Sequence, residues 1–412
     1  MKDPASTPRP SAVPLRVLHV ITRLIVGGAQ ENTVSSVIGL RLKPGLDVHL
    51  ISGPTHGPEG TLEPVVQAVP GLLSIVPSLV RPVQPLQDLR ALGALRRLFA
   101  TERPDVVHTH SGKAGILGRI AARLAHVPVV IHTVHGPSFG PFQGNLANFS
   151  FRGAERFAAR FTTHFVVVAN AMTRQYLAAG IGRAEMFTRV FSGFDLDPFL
   201  SARPDAAIRA QLGLEPGHLV IGKIARLVPL KGHDDLLAAA SGIVREVPQI
   251  RFLLVGDGPL RARFEAEVAA RGLTQHFVFT GLVPPSRIPG LVGAMDLLIH
   301  LSRREGLPRA LPQALAAGRP VIAYDCDGAN EVCINGRTGF LVAQGNLTAL
   351  RDRVRILGTD ARLRKEFGQH GQAMVRECFP TQKMVDDLHA LYLRLMANRA
   401  TASQPSPFSP RS

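Results

Sequence analysis

The chain has no tryptophan and only three tyrosines in 412 residues, and it carries three cysteines. Without those aromatics it lacks the stacking platforms on which single-stranded nucleic acids are held. The cysteines, Cys326, Cys333 and Cys378, form no Cys-x-x-Cys pair, which argues against a cysteine zinc framework and suits a reducing compartment. No apolar run approaches the roughly 20 residues that cross a bilayer. Residues 1–14 are polar and Pro-rich, unlike the apolar stretch of a secretion signal. The expectation is a cytoplasmic protein whose membrane contact, if it makes one, is peripheral. Acidic residues are a minority: 31 Asp+Glu against 47 Lys+Arg, a net charge of +16. That excess is divided evenly between residues 1–200 and 201–412, which argues against a dedicated basic domain. It favours polyanionic surfaces, although an Arg-rich genome composition gives the same balance.

A chain of this length, 45% hydrophobic, exceeds one ordinary core and implies two or three domains. Apolar β-branched runs alternate with helical patterns twice over. In the first half the runs are 16–21, 47–52, 105–110, 129–133 and 164–169. In the second they are 219–225, 251–256, 276–280, 296–301 and 319–323. Buried runs separated by helices predict parallel strands joined by right-handed crossovers. The fold class is therefore α/β, with two Rossmann-like lobes. The predicted boundaries are a disordered segment 1–14, a first lobe 15–195, a linker 196–217, a second lobe 218–380, a C-terminal helix 381–398 and a disordered tail 399–412.

The densest signal is the run from Ser302 to Ala323. It reads as strand end, acidic loop, short helix, glycine turn and strand. It places Glu305 and the backbone N–H groups of Gly306 and Leu307 at the carboxyl edge of a parallel sheet, where open α/β sheets bind ligands and a helix start favours anions. Upstream, Arg226 and Lys231-Gly232 converge on a helix start, a pattern that neutralises a diphosphate but also occurs in surface turns. Gly256-Asp257-Gly258 follows a strand and permits close backbone approach, as does Gly281 before Leu282; either is equally a plain connection. In the first lobe, Gly27-Gly28 joins the first strand to the first helix. The run His108, Thr109, His110, Lys113 puts a strand end and a helix start at the cleft. His108 and His110 point the same way on a strand, but no third metal ligand is evident beside them. His135 follows in a Thr-x-His turn.

These segments resemble the group 1, family-4-type retaining glycosyltransferases, which have the GT-B fold. The resemblance spans about residues 16–397 and is strongest in the second lobe. It implies that Arg226 and Lys231 bind the donor diphosphate, and that Glu305 hydrogen-bonds the transferred sugar. It places Gly256, Leu282, Gly306 and Leu307 near the nucleotide sugar, with Gly27 and Gly28 approaching its phosphates from across the cleft. His135 would be the catalytic residue on the acceptor side, with His108, His110 and Lys113 also facing the acceptor. Gln313 stands where the family has a second Glu that holds the ribose, and a neutral amide accepts a hydrogen bond more weakly than a carboxylate. Glu331 resembles a scaffold residue of these enzymes.

The implied activity is transfer of a hexosyl unit from a nucleoside-diphosphate sugar, UDP-linked for preference, to a glycan or lipid-linked acceptor in surface polysaccharide assembly. No metal and no other cofactor is expected. The rivals are a UDP-sugar 2-epimerase of the same fold, which needs acid/base carboxylates in the cleft, and a basic nucleic-acid-binding protein, for which no recognition motif is present. An anionic membrane surface is a further expected partner. The segment 137–151 is Phe-rich, and Arg152, Arg156 and Arg160 recur every four residues after it, on one helical face beside Phe157 and Phe161.

Overall fold

The computed structural model describes residues 14–57, 60–140 and 142–402. The first lobe holds seven strands: β1 (Leu15–Ile21), β2 (Leu46–Ser52), β3 (Leu73–Ile75), β4 (Val106–His110), β5 (Val129–Val134), β6 (His164–Val167) and β7 (Phe187–Arg189). They form one sheet in the order β3-β2-β1-β4-β5-β6-β7, and every pairing is parallel. The second lobe holds β8 (Leu219–Ile224), β9 (Ile250–Val255), β10 (Phe277–Phe279), β11 (Leu297–His300), β12 (Val321–Tyr324) and β13 (Gly339–Val342). Their order is β10-β9-β8-β11-β12-β13, again wholly parallel. The edge strands β3, β7 and β13 are not among the predicted runs.

Parallel strands are covered by helices on both faces, which is why the central ones read as near-continuous apolar runs. In β4 and β5 every residue is buried. In each sheet the strand order reverses once, between β1 and β4 and between β8 and β11. Such switch points open a crevice at the carboxyl ends of the strands. The loops that leave β1, β4, β5, β8, β9, β10 and β11 carry most of the sequence-predicted site residues; His108 and His110 lie within β4 and Gln313 in the helix Ala310–Ala316.

The segment predicted as a linker, 196–217, contains two short helices, Asp197–Leu200 and Ala206–Gln211. Its Leu196, Phe199 and Leu214 are buried in the core of the second lobe with Val220, Leu291 and Val292. The C-terminal helix Thr381–Ala402 returns to the first lobe. There Met384, Val385, Leu388 and Tyr392 pack with Val34, Val37 and Leu40 of helix Gly28–Arg41. Burying an aliphatic side chain of this size contributes about 1.5–3 kcal/mol. The contact is close, since a Cβ on Gly39 would lie 2.4 Å from Val385 Cγ2. Arg399–Ala402, predicted to lie in a disordered tail, instead continue this helix; Ala and Arg are good helix formers. Apart from Pro14, residues 1–14 lie outside the described residues, as do 403–412.

Candidate active site

A cleft of about 1550 Å³ lies between the lobes. On the second-lobe side it is built on the ends of β8 and β11. The chain leaving β8 passes Arg226, which lines the cleft, and reaches Lys231 and Gly232. Gly232 has φ +67°, and a Cβ there would fall 1.9 Å from the Leu301 carbonyl. Only glycine fits both demands, and it seats helix His233–Glu246 against the end of β11. The loop after β11 is pinned by its own residues. Arg303 N–H donates to the Leu230 carbonyl at 2.8 Å, and its guanidinium grips both Asp235 oxygens at 2.8 and 2.9 Å. Ser302 Oγ donates to the Arg304 carbonyl.

That pinning brings Glu305 to Lys231, whose Nζ lies 2.5 Å from Glu305 Oε1. His300 Nε2 meets the same oxygen at 3.2 Å, and Glu305 N–H donates to Asp327 Oδ2 at 2.7 Å. Burial raises the Glu305 carboxyl, but the His300 hydrogen bond and the Lys231 charge outweigh it and hold the group well below the usual carboxylate range. Burial keeps His300 below the usual imidazole range, so it donates as a neutral ring. Beneath this pair, Lys223 is fully buried and its Nζ donates to the Lys231 carbonyl at 2.7 Å. Burial first, and then the neighbouring Lys231, push its amine down to about 7.

Gly256 (φ +134°) passes so close to the Ala225 carbonyl that a Cβ would lie 2.3 Å away. Leu282, Leu307 and Gln313 line the cleft. Gly306 is at the seam, where a Cβ would lie 1.7 Å from the His135 carbonyl. The lobes therefore meet backbone to backbone between the Glu305 loop and the His135 loop.

On the first-lobe side Gly27 and Gly28 open helix Gly28–Arg41 and line the cleft. A Cβ on Gly28 would touch Arg309 Cδ at 3.4 Å. Arg309 also pairs across the cleft with Glu31 at 3.0 Å. Arg304 stacks over Phe142, 3.3 Å from the ring centroid, and donates to the Pro137 carbonyl. These two arginines clamp the lobes together, as does Glu331. Its Oε1 accepts from Ala171 N–H at the start of helix Asn170–Ala178, and its Oε2 pairs with Arg189. The sequence reading missed Glu31, Lys223, His300, Arg304 and Arg309 as site residues. Arg304 and Arg309 stand inside the signature run, but their partners are far away in sequence.

Some first-lobe expectations need correction. His108 and His110 do not face the acceptor: they are 0% and 1% exposed, because β4 is an interior strand covered on both faces. Nor do they lack a third nitrogen neighbour, since His19 of β1 lies beside them and the ring nitrogens of the three come within 4.8 Å of one another. All six of those nitrogens already have hydrogen-bond partners. Lys113 does line the cleft, but its charge is met by Asp88 and the Pro82 carbonyl. The arginine face of helix Asn145–Ala159 is likewise partly engaged. Arg152 and Arg156 both donate to the Ala179 carbonyl at 3.3 and 2.7 Å, capping helix Asn170–Ala178. Glu155 is buried on Arg119 at 2.6 Å. His135 is half-buried after β5, and burial pushes its imidazole down to about 4.

Two family models match the chain: "Glycosyl transferases group 1" over residues 204–374 and "Glycosyl transferase 4-like domain" over residues 27–188. A GDP-mannose-dependent alpha-(1-6)-phosphatidylinositol monomannoside mannosyltransferase of Mycobacterium tuberculosis is 30% identical over 73% of this chain and 77% of its own length. The chain belongs to the group 1 glycosyltransferases. An Escherichia coli relative, UDP-Gal:alpha-D-GlcNAc-diphosphoundecaprenol alpha-1,3-galactosyltransferase, is 28% identical and covers 93% of this glycosyltransferase and 98% of itself. Among solved structures, an Anabaena protein in complex with UDP and glucose superposes with a TM-score of 0.78 at 22% identity. The match covers 92% of this chain and 100% of that one. The sucrose-phosphate synthase of Thermosynechococcus elongatus gives 0.77 at 19%, covering 93% and 100%. At these identities the likeness speaks to the fold, which is GT-B.

Proposed function

We propose that this glycosyltransferase moves a hexosyl unit, with retention at C1, from a UDP-linked sugar to a glycan or lipid-linked acceptor in surface polysaccharide assembly. The observation that carries the reading is the Lys231–Glu305 pair, 2.5 Å apart at the β8/β11 switch point. Arg226 and Gly27-Gly28 line the same cleft. Arg226 and Lys231 take the diphosphate and stabilise its developing charge as it leaves. Glu305, ionised, accepts hydrogen bonds from the sugar hydroxyls. Gln313 accepts one from the ribose. His135, a neutral imidazole, hydrogen-bonds the transferred sugar from the acceptor side.

The acceptor oxygen bonds to C1 on the face from which the diphosphate departs. The C1–O bond to phosphate breaks, and the acceptor proton passes to a phosphate oxygen. The protein supplies position, charge and exclusion of water. No metal is required. Of the four carboxylates that line the cleft, Glu305, Glu31 and Asp88 are each tied to a cation and Asp195 accepts the Asp197 N–H; an epimerase needs a pair of free acid/base carboxylates, which favours transfer. The relatives named for UDP-galactose and GDP-mannose donors support the nucleotide-sugar class.

Incubation with a panel of nucleotide sugars tests the reading. Transfer, or slow hydrolysis, that releases free UDP is expected; formation of a 2-epimer, or no reaction with any donor, contradicts it.

A lipid-linked acceptor places the enzyme at the inner face of the membrane. No described helix is long and apolar enough to cross one, but Leu146, Phe149 and Phe157 of helix Asn145–Ala159 are exposed beside exposed Arg160. Apolar insertion with basic contacts suits an anionic surface. Sedimentation with anionic but not neutral vesicles is expected, and equal binding to both removes the docking face.

A further inference from the structure

Four buried or half-buried imidazoles, a phenol and a threonine hydroxyl form one continuous hydrogen-bond chain in the first lobe. Thr133 Oγ1 meets His108 Nε2 at 2.6 Å, and His108 Nδ1 meets the Tyr392 hydroxyl at 2.6 Å. The same hydroxyl meets His19 Nε2 at 3.2 Å, and His19 Nδ1 meets His110 Nε2 at 2.9 Å. His110 Nδ1 meets His135 Nε2 at 3.1 Å. The chain thus runs from the interior, through the C-terminal helix, to the loop that carries His135.

Burial pushes His19 down to about 3 and His135 to about 4, and it holds His108 and His110 well below the usual imidazole range. All four rings are therefore neutral near pH 7, and each has one N–H and one lone pair. A chain of such groups has only two internally consistent directions. The direction is decided at the Thr133 end. Thr133 Oγ1 has no hydrogen-bond partner besides His108 among the described residues, and Thr133 is buried. If His108 donated to it, the hydroxyl hydrogen would be left unmatched, which buried polar groups avoid. Thr133 therefore donates to His108 Nε2. His108 Nδ1–H then donates to Tyr392, Tyr392 O–H to His19 Nε2, His19 Nδ1–H to His110 Nε2, and His110 Nδ1–H to His135 Nε2.

We infer that Thr133, His108, Tyr392, His19 and His110 are positioning residues that fix His135 as its Nδ1–H tautomer, so that its free nitrogen is a hydrogen-bond donor to the reactants. The lock turns residues unsuited to touching substrate into determinants of what His135 offers it. It also makes the C-terminal helix, which holds Tyr392, part of the active-site architecture. The purpose of the lock rests on the transferase reading above. Its existence does not, because the tautomer is read without substrate.

The test is long-range proton–nitrogen correlation NMR on protein labelled with ¹⁵N-histidine at neutral pH. In the wild type His135 should show a protonated Nδ1 and a bare Nε2. Tyr392→Phe and Thr133→Val each remove a hydroxyl that sets the direction, so a substantial Nε2–H population should appear at His135. Thr133→Ser should restore the single tautomer. A wild-type His135 protonated on Nε2, or a tautomer unchanged in both variants, overturns the inference. So does a zinc titration that shifts His19, His108 and His110 together, which would replace the chain by a metal site. If one variant does not fold, the other and the wild-type spectrum still decide it.

Discussion

Replacing Lys231 by Met keeps the apolar stem and removes the charge, and the structure specifies two consequences. The diphosphate loses a charge-assisted hydrogen bond, and such bonds contribute about 1.5–3 kcal/mol. That corresponds to about a ten- to a hundredfold fall in kcat/KM. Glu305 also loses its ion-pair partner at 2.5 Å. Burial, which raises the Glu305 carboxyl, is then opposed chiefly by the His300 hydrogen bond. Glu305 therefore protonates at a higher pH, and the acid limb of the pH–rate profile moves upward. Release of nucleoside diphosphate at saturating acceptor, measured across pH, reports both effects. Arg226→Ala should show a fall of similar size without the shifted acid limb. Unchanged kinetics in both variants, with native circular dichroism, would refute the assignment of these cations to the diphosphate.

Three further outcomes are expected. Activity survives EDTA and is not raised by magnesium or manganese. The Asp-x-Asp letters at Asp325 and Asp327 are occupied by hydrogen bonds from Asn330, Gln175 and the Glu305 backbone, and abolition by EDTA with rescue by either ion would contradict this. Gln313→Glu folds, keeps activity and lowers the donor KM modestly, because a carboxylate accepts two bonds from vicinal hydroxyls; complete loss of donor affinity would give Gln313 another role. Lys223 has a folded-state pKa lowered to about 7 against about 10.4 in the unfolded chain, so the unfolded state binds more protons between those values. Stability should therefore rise with pH across that window, by up to several kcal/mol at about 1.4 kcal/mol per unit. Denaturant unfolding at pH 7 and pH 9 should show that slope in the wild type and a flatter one in Lys223→Met, and equal slopes would contradict it.

The parts of the fold legible in the sequence are those with local signatures. Central strands such as β1 and β9 are predominantly apolar runs, and Lys231, Gly232, Glu305 and Gln313 sit in short motifs with characteristic spacing. The edge strands β3 and β7 are three residues each and include polar Ser74, Thr188 and Arg189, so neither forms an apolar run. The histidine chain was hidden for a different reason. His19, His110 and Tyr392 are neighbours only because β1 pairs with β4 and the last helix crosses back over both. Read alone, His108 and His110 looked like cleft residues, since a strand end near a helix start resembles a binding edge; the covering helices decide otherwise. The Arg309–Glu31 clamp joins opposite lobes, and no spacing within either lobe records it. The Arg152–Arg156 face had the period of a solvent stripe, yet its partner is a helix end that lies next to it only in the folded chain.

The central claim is that a sugar leaves a nucleoside diphosphate and reaches an acceptor at the Lys231–Glu305 pair with its anomeric configuration kept. The most direct test is NMR of the product formed from an α-linked UDP-hexose and a lipid-linked or glycan acceptor, with free UDP quantified in the same tube. The account predicts an α-linked product formed in equal amount to UDP by the wild type, and about ten- to a hundredfold less of it in the same time by Lys231→Met. A β-linked product, or an α-linked product made equally well by the variant, would contradict it.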